Sequence, residues 1–356
     1  MPTSSPTAEI VVVGGGIAAL ELVLALREAA GDRVHITLVA AQPDFVLQPA
    51  LVAAVPSRHG AHRRPLRAIA DDLGVTLVQA AVASVDPVGR RVVLRRGDPL
   101  PYDSLVLAHG AQTVPAFEGV IALGGTVESQ ELRTLREEIA GGRVRSVAFV
   151  APSRAGWLVP LYDAALLATK SGHTVRVSLI TREVRPLEAF GAEASATVAA
   201  ALAAAGIDFI AGQTARVVEG DVRVAGGSIS ADRIVALPLV RGLRIAGIPA
   251  GGEFGLIPVD RFGRVKGLED VYAAGDATDY PVKHGSVAGQ QADAVAAAIA
   301  APAGSEPFTP VLRATLLAGT AAPIPVGDGA GNDEPAQVPG RYLAPYLRGA
   351  DETVAA

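Results

Sequence analysis

The chain has 356 residues, half of them hydrophobic but only 4% aromatic, and a formal net charge of −5. That length accommodates two or three domains whose cores are packed mainly from Ala, Val, Leu and Ile, and the lack of a basic excess argues against nucleic acid as a partner. There is no cysteine, so disulfides, thiolate nucleophiles, cysteine-ligated clusters and redox dithiols are excluded, and any redox chemistry must come from a cofactor.

Residues 1–9 lack the positive region and apolar stretch of a signal peptide, and no uncharged apolar run of about 18 residues reads as a spanning helix. A cytoplasmic protein is expected. Residues 10–13, Ile-Val-Val-Val, read as a short buried strand stopped by three glycines. A helix follows over 17–28, with Leu20, Val23 and Leu24 on one face and Arg27 as the first polar break. A second strand at 34–39 closes a βαβ unit of about 30 residues. Residues 75–78, 81–85 and 91–94 read as strands of a small antiparallel insertion, and 105–110 as a buried strand ending in a turn. A second βαβ pattern runs through a strand at 146–150, a helix at 160–171 and a strand at 175–180. Helix 192–205 and strand 207–210 extend it. Residues 234–237 are expected to bring the chain back toward the first domain, with 289–300 as its closing helix. Residues 319–340 are rich in Gly and Pro and read as irregular, and 341–346 as a docking segment. The expected fold is α/β, with tandem Rossmann-like dinucleotide-binding domains of the two-domain flavoprotein type. The first is discontinuous (1–115 and 235–300), 116–234 forms the second, NAD(P)-like domain, and 301–356 is a C-terminal segment.

Two motifs carry the chemistry. Gly14, Gly15, Gly16, Ile17, Ala18 and Ala19 form a G-x-G-x-x-A turn between strand and helix. Gly14 permits the tight turn, Gly16 lets the backbone approach a pyrophosphate, and Ala19 allows close helix–strand packing, while the helix directs its positive end at the phosphates. The ribose-binding acid expected near position 40 is replaced by Ala40-Ala41-Gln42, leaving Gln42 or Asp44 as substitutes. Near the other end, Gly275 and Asp276 follow a strand. The Asp276 carboxylate can accept from ribityl hydroxyls, and the N–H groups from Ala277 onward can meet phosphate oxygens; capping of the following helix is the alternative. Two half-sites so far apart in sequence point to one long cofactor, FAD. Lys283, His284 and Gly285 stand just ahead of the closing helix. A helix N-terminus there would face the flavin pyrimidine and stabilise negative charge on the reduced ring. Lys283 adds a full positive charge, so Lys283 and His284 are the candidate flavin-adjacent catalytic residues. His109, in the turn after a central strand, packs locally or contacts the cofactor.

These pieces resemble FAD proteins of the pyridine nucleotide–disulfide oxidoreductase superfamily, and within it sulfide:quinone and type II NADH:quinone oxidoreductases. The resemblance is carried by residues 14–19, 45–49, 105–110, 257–260 and 275–276. Lys283-His284-Gly285 resembles the lysine-containing flavin loop of the sulfide enzymes, and Gln290-Gln291-Ala292 the helix start of the NADH enzymes, near their quinone site. It implies that Phe45 and Pro49 belong to a segment passing close to the cofactor, that Gly110 lies in a cofactor-side turn, and that the substrate is a small or quinone-like molecule.

The chain also departs from these relatives. The sulfide enzymes pass sulfur through cysteines, so that reaction cannot run here by the family mechanism. Where an NAD(P)H-binding member shows G-x-G-x-x-G, residues 151–157 read Ala-Pro-Ser-Arg-Ala-Gly-Trp. Pro152 removes an N–H donor, and Cβ atoms replace the first two glycines. Arg154 and Thr181-Arg182 still offer groups that read phosphates, so NAD(P)H is left open as a cofactor; Trp157 either walls a pocket or anchors a core. His59 and His62, without cysteines or an acid cluster, are read as no metal site, and the basic run 58–67 covers FAD phosphates or faces water. The leading function is an FAD-dependent oxidoreductase moving hydride or electrons between flavin and a small organic or quinone-like substrate. An NAD(P)H-dependent quinone reductase with a nonstandard loop and a noncatalytic regulatory flavoprotein are the alternatives. Val311, Leu312, Leu316 and Leu317 fall at helical spacing as one short face. No stable membrane insertion is expected; the tail packs on its own body or on another subunit, leaving a homodimer open.

Overall fold

The computed structural model describes residues 7–47, 62–124, 130–170, 173–316 and 324–327. Pro49, His59 and the 341–346 segment lie outside the described residues. Ten strands build two main sheets: β1 Ala8–Val13, β2 Val34–Ala40, β3 Thr76–Gln79, β4 Ser104–Leu107, β5 Ile121–Ala122, β6 Ser146–Val150, β7 Arg176–Ile180, β8 Asp208–Ile210, β9 Arg233–Ala236 and β10 Val271–Ala273. The helices are α1 Ile17–Ala30, α2 Leu66–Asp72, α3 Gln130–Ala140, α4 Val159–Ala168, α5 Ala192–Ala204 and α6 Gly285–Ala300.

The first sheet has the order β10-β4-β1-β2-β3, and every pair in it is parallel. A parallel sheet is covered on both faces, which is why β1 is a run of four buried apolar residues rather than an alternation. Leu20, Leu22, Val23 and Leu26 of α1 cover one face together with Ala288, Ala292, Val295 and Ala296 of α6. On the other face, Val85, Val92 and Leu94 of an antiparallel three-stranded sheet pack on Val11, Val13, Leu105 and Leu107. The chain leaves β1 toward β2 on one side and is joined by β4 on the other, so the carboxyl ends of β1 and β4 flank a topological switch point, the ligand position of open α/β sheets.

The second sheet, β5-β9-β6-β7-β8, is also parallel throughout. Leu161, Tyr162, Leu166, Val198 and Leu202 bury one side of it. An antiparallel sheet over 216–230 covers the other through Val222. A two-stranded antiparallel ribbon, Ala111–Val114 with Leu239–Gly242, joins the two halves.

Three expectations change. Residues 76–79 do not belong to the antiparallel insertion: α2 provides the crossover that lays them parallel to β2 as β3. Residues 233–236 are not a return to the first sheet but the strand between β5 and β6; an apolar run reads alike in any buried strand, and only pairing assigns its sheet. The described part of the tail forms strands where a helical face was expected. Arg313–Leu316 pairs antiparallel with Ile324–Gly327, and Ala314, Leu316 and Ile324 join the second core, a period of two overriding the apparent spacing of four.

Candidate cofactor site

Gly14 ends β1 with φ +142°, donates its N–H to the Val39 carbonyl at 2.9 Å, and lies so close to the end of β4 that a Cβ would overlap the Ala108 carbonyl oxygen. Glycine is therefore imposed there by the fold itself. Gly16 differs. It is the N-cap of α1 with φ −97°, no side chain caps the helix, and a Cβ would meet nothing within 4 Å. The first N–H groups of α1 thus face open space with the positive end of the helix behind them. Ala19 beneath them is fully buried.

Gly275, with φ +73°, brings the distant motif onto the same spot: its Cβ would stand 2.8 Å from that of Ala18 in the first turn of α1. Its N–H donates to Oε1 of Gln291 on α6 at 2.7 Å. The two ends of the chain therefore meet over one helix terminus. Asp276 is half-buried, and its carboxylate accepts no hydrogen bond from any described residue; burial raises its pKa, opposed by the charge of Lys283. A desolvated carboxylate without donors is costly unless a ligand supplies them. It does not cap α6, whose N-cap is His284.

Lys283 turns its ammonium toward backbone, donating to the carbonyls of Asp276 (3.3 Å) and Thr278, and burial lowers its pKa to about 8 against the pull of Asp276 and Asp279. It braces the Asp276 turn. His284 accepts at Nδ1 from the Ser286 N–H at 3.3 Å, burial lowers its pKa to about 4, and its neutral ring stacks on Trp157. His109 Nε2 lies 3.1 Å from the Leu243 carbonyl and so carries the proton. Its Nδ1 is then an acceptor, buried and without a partner. An uncapped helix N-terminus, the His109 Nδ1 acceptor and a carboxylate that accepts from no described residue suit a ligand bearing both phosphates and hydroxyls.

The remaining candidates are spread more widely. Gln42 is exposed beyond β2, and Asp44 pairs with Arg63 at 3.6 Å. Phe45 is 2% exposed and belongs to the core with Leu66 and Ile69. Gly110, φ +72°, makes the turn after His109; Ala277 is buried and accepts from the Ile257 N–H at 2.9 Å; Gly285 is the first residue of α6. Gln291, singled out in the sequence only through the resemblance of Gln290-Gln291-Ala292 to a helix start, holds the Gly275 turn, a role that the resemblance did not give. A glutamine among the alanines of a buried helix face was its signal, because such an amide needs a partner. Its neighbour Gln290 uses both amide atoms on the Val311 backbone, at 3.0 and 2.8 Å.

Residues 8–292 match the family described as pyridine nucleotide-disulphide oxidoreductase. The chain belongs to that family. It is an FAD-dependent oxidoreductase, and the rim of Gly14–Ala19, His109 and Asp276 fits the cofactor. Among solved structures, the sulfide:quinone oxidoreductase of the hyperthermophilic bacterium Aquifex aeolicus has TM-score 0.72 and 20% identity, over 98% of this chain and 90% of that one. A ferredoxin reductase from Rhodopseudomonas palustris has TM-score 0.59 and 20% identity, over 88% and 80%. Likenesses at this identity establish the fold. No curated protein matches. Unlike the family's name, this member has no disulphide chemistry of its own, having no cysteine.

Proposed function

We propose that this family member exchanges a hydride or an electron pair between FAD and a small organic or quinone-like substrate, and that NAD(P)H is not its donor. The observation that carries the reading is the half-buried Asp276 carboxylate, which accepts from no described residue and is seated by Gly275 against the first turn of α1. Bound FAD supplies the redox centre. The N–H groups after Gly16 would receive the pyrophosphate, and Asp276 the ribityl hydroxyls. The N-terminus of α6 at Gly285 would place positive potential beside the reduced ring. Lys283 would act mainly through the carbonyls it holds. Residues 1–115 with 237–300 are the proposed FAD domain and 116–236 the second domain, the boundary moving past β9 because that strand lies in the second sheet.

The second domain argues against a nicotinamide donor. In the turn after β6, Pro152 has no N–H, the Ala155 N–H is held by the Pro152 carbonyl at 3.0 Å, and a proline stands in the first turn of α4. Arg182, where a 2′-phosphate would be read, donates instead to the Ser153 carbonyl at 2.9 Å. Anaerobic titration of the FAD-loaded protein tests both parts. Flavin absorbance should be present, and NADH and NADPH at micromolar concentrations should leave it unbleached, whereas a reduced quinone or another small donor should reduce it. Rapid, saturable bleaching by either nucleotide would refute the donor assignment. Failure to bind FAD would refute the whole reading.

A further inference from the structure

The turn over 151–158 meets the part of the chain after β9 at three points. The Arg154 guanidinium lies 5.3 Å from the Phe254 ring centroid. Gly156 is pressed on loop 281–284 so tightly that a Cβ would overlap the Pro281 carbonyl oxygen. Trp157, the only tryptophan, stacks on His284 with centroids 4.1 Å apart and planes at 21°, and Phe190 holds its other side edge-on at 5.4 Å. His284 is fixed as the N-cap of α6 through Ser286, and Trp157 sits between His284 and Phe190. One ring spacing separates indole from imidazole, so a third ring cannot enter between them.

In a βαβ dinucleotide unit this turn is the phosphate site, and the residues after the second strand read the ribose. Here Glu183, which follows β7, is committed to the Tyr162 hydroxyl of α4 at 2.6 Å. The turn has given up its ligand contacts and makes contacts with the first domain's cofactor loop in their place. We propose that Trp157 is a specificity-determining plug: stacked on His284, it fills the space through which a nicotinamide ring would reach the flavin, and so excludes nicotinamide donors by shape as well as by the lost phosphate cradle. This rests on the FAD reading above.

The two causes of exclusion separate with reduced nicotinamide mononucleotide, which needs no pyrophosphate cradle and gives a hydride from its ring, leaving as the nicotinamide cation while bound FAD takes the electron pair. Stopped-flow reduction of FAD-loaded wild type, W157A and W157F at matched flavin content is the first arm. W157A should be reduced at least about tenfold faster than wild type, and W157F, which restores a stacked ring, should stay near wild type. Equal rates for W157A and wild type overturn the plug. The second arm needs no flavin: acrylamide should quench the single tryptophan more steeply in H284A than in wild type, and unchanged quenching overturns the stack. A wild-type protein that takes up no FAD sinks the cofactor reading, while the quenching arm still decides the contact.

Discussion

Gly14 and Gly16 stand two residues apart and are required for different reasons. Gly14 is held by the fold, since a side chain would meet backbone at a left-handed φ. G14A should lose about 2–4 kcal/mol of stability in urea unfolding of the apo-protein. Gly16 has space around it and an ordinary φ, so G16A should stay within about 0.5 kcal/mol of wild type and yet bind FAD at least about tenfold more weakly. An unstable G16A, or a G14A as stable as wild type, would reverse these assignments. Asp276 gives the opposite sign. Its carboxylate is desolvated without a donor, so D276A should lose FAD without destabilising the apo-protein.

His284 sets a pH dependence. Burial lowers its pKa from 6.5 to about 4. As the pH falls between those values the unfolded chain takes up a proton that the folded chain refuses, so stability decreases across that window and is unaffected by this group above it. H284N keeps a capping acceptor but cannot titrate. Its melting temperature should fall less than that of wild type between pH 6.5 and 4, and parallel slopes would remove His284 as the cause.

At the scale of elements, the site is made by two alanine-rich helices packed closely enough for one turn to reach both. Gln291 fastens that turn to α6, and Q291L would strand the buried Gly275 N–H. The cost should be about 1–3 kcal/mol in chemical denaturation, with weaker FAD retention; an unaffected variant would show that the turn is held by packing alone. The apolar pattern alone started α6 at 289, while the motif at Lys283-His284-Gly285 already put a helix N-terminus there, and α6 begins at Gly285 with His284 as its cap. Arg27, read as a polar break, ties the carboxyl end of α1 to the carbonyls of Leu73 (3.1 Å) and Gly74 (2.6 Å). Its position on the helix was legible. Its partners, more than forty residues away, were not.

At the scale of the whole molecule, Ala314, Leu316 and Ile324 of the tail are turned inward, while Val311 is exposed. Leu316 and Ile324 are buried in the second core, and Gln290 clips the backbone at Val311 to α6. Among the described residues no helix is long and apolar enough to cross a membrane. Interfacial binding requires a substantial apolar face open to lipid, and Ala314, Leu316 and Ile324 of the hairpin are already committed to the core. Full-length protein should therefore stay at the bottom of a flotation gradient with anionic vesicles; flotation that is lost on ending the chain at Ala301 would show that the tail docks on lipid instead.

What the sequence determined by itself follows from local physics: buried strands as apolar runs, helices by period, glycines where chain must meet chain or phosphate, and the exclusion of thiol chemistry by composition. Gly14–Ala19 and Gly275-Asp276 were recognisable because a cofactor constrains neighbouring residues directly. The tertiary structure alone decided which sheet received residues 76–79 and 233–236, because pairing partners are chosen across the chain and not within a window. It alone showed Lys283 bracing backbone, Phe45 in the core, and Trp157 on His284. Those roles depend on contacts between residues remote in sequence, where side-chain type leaves several partners equally acceptable and packing selects one.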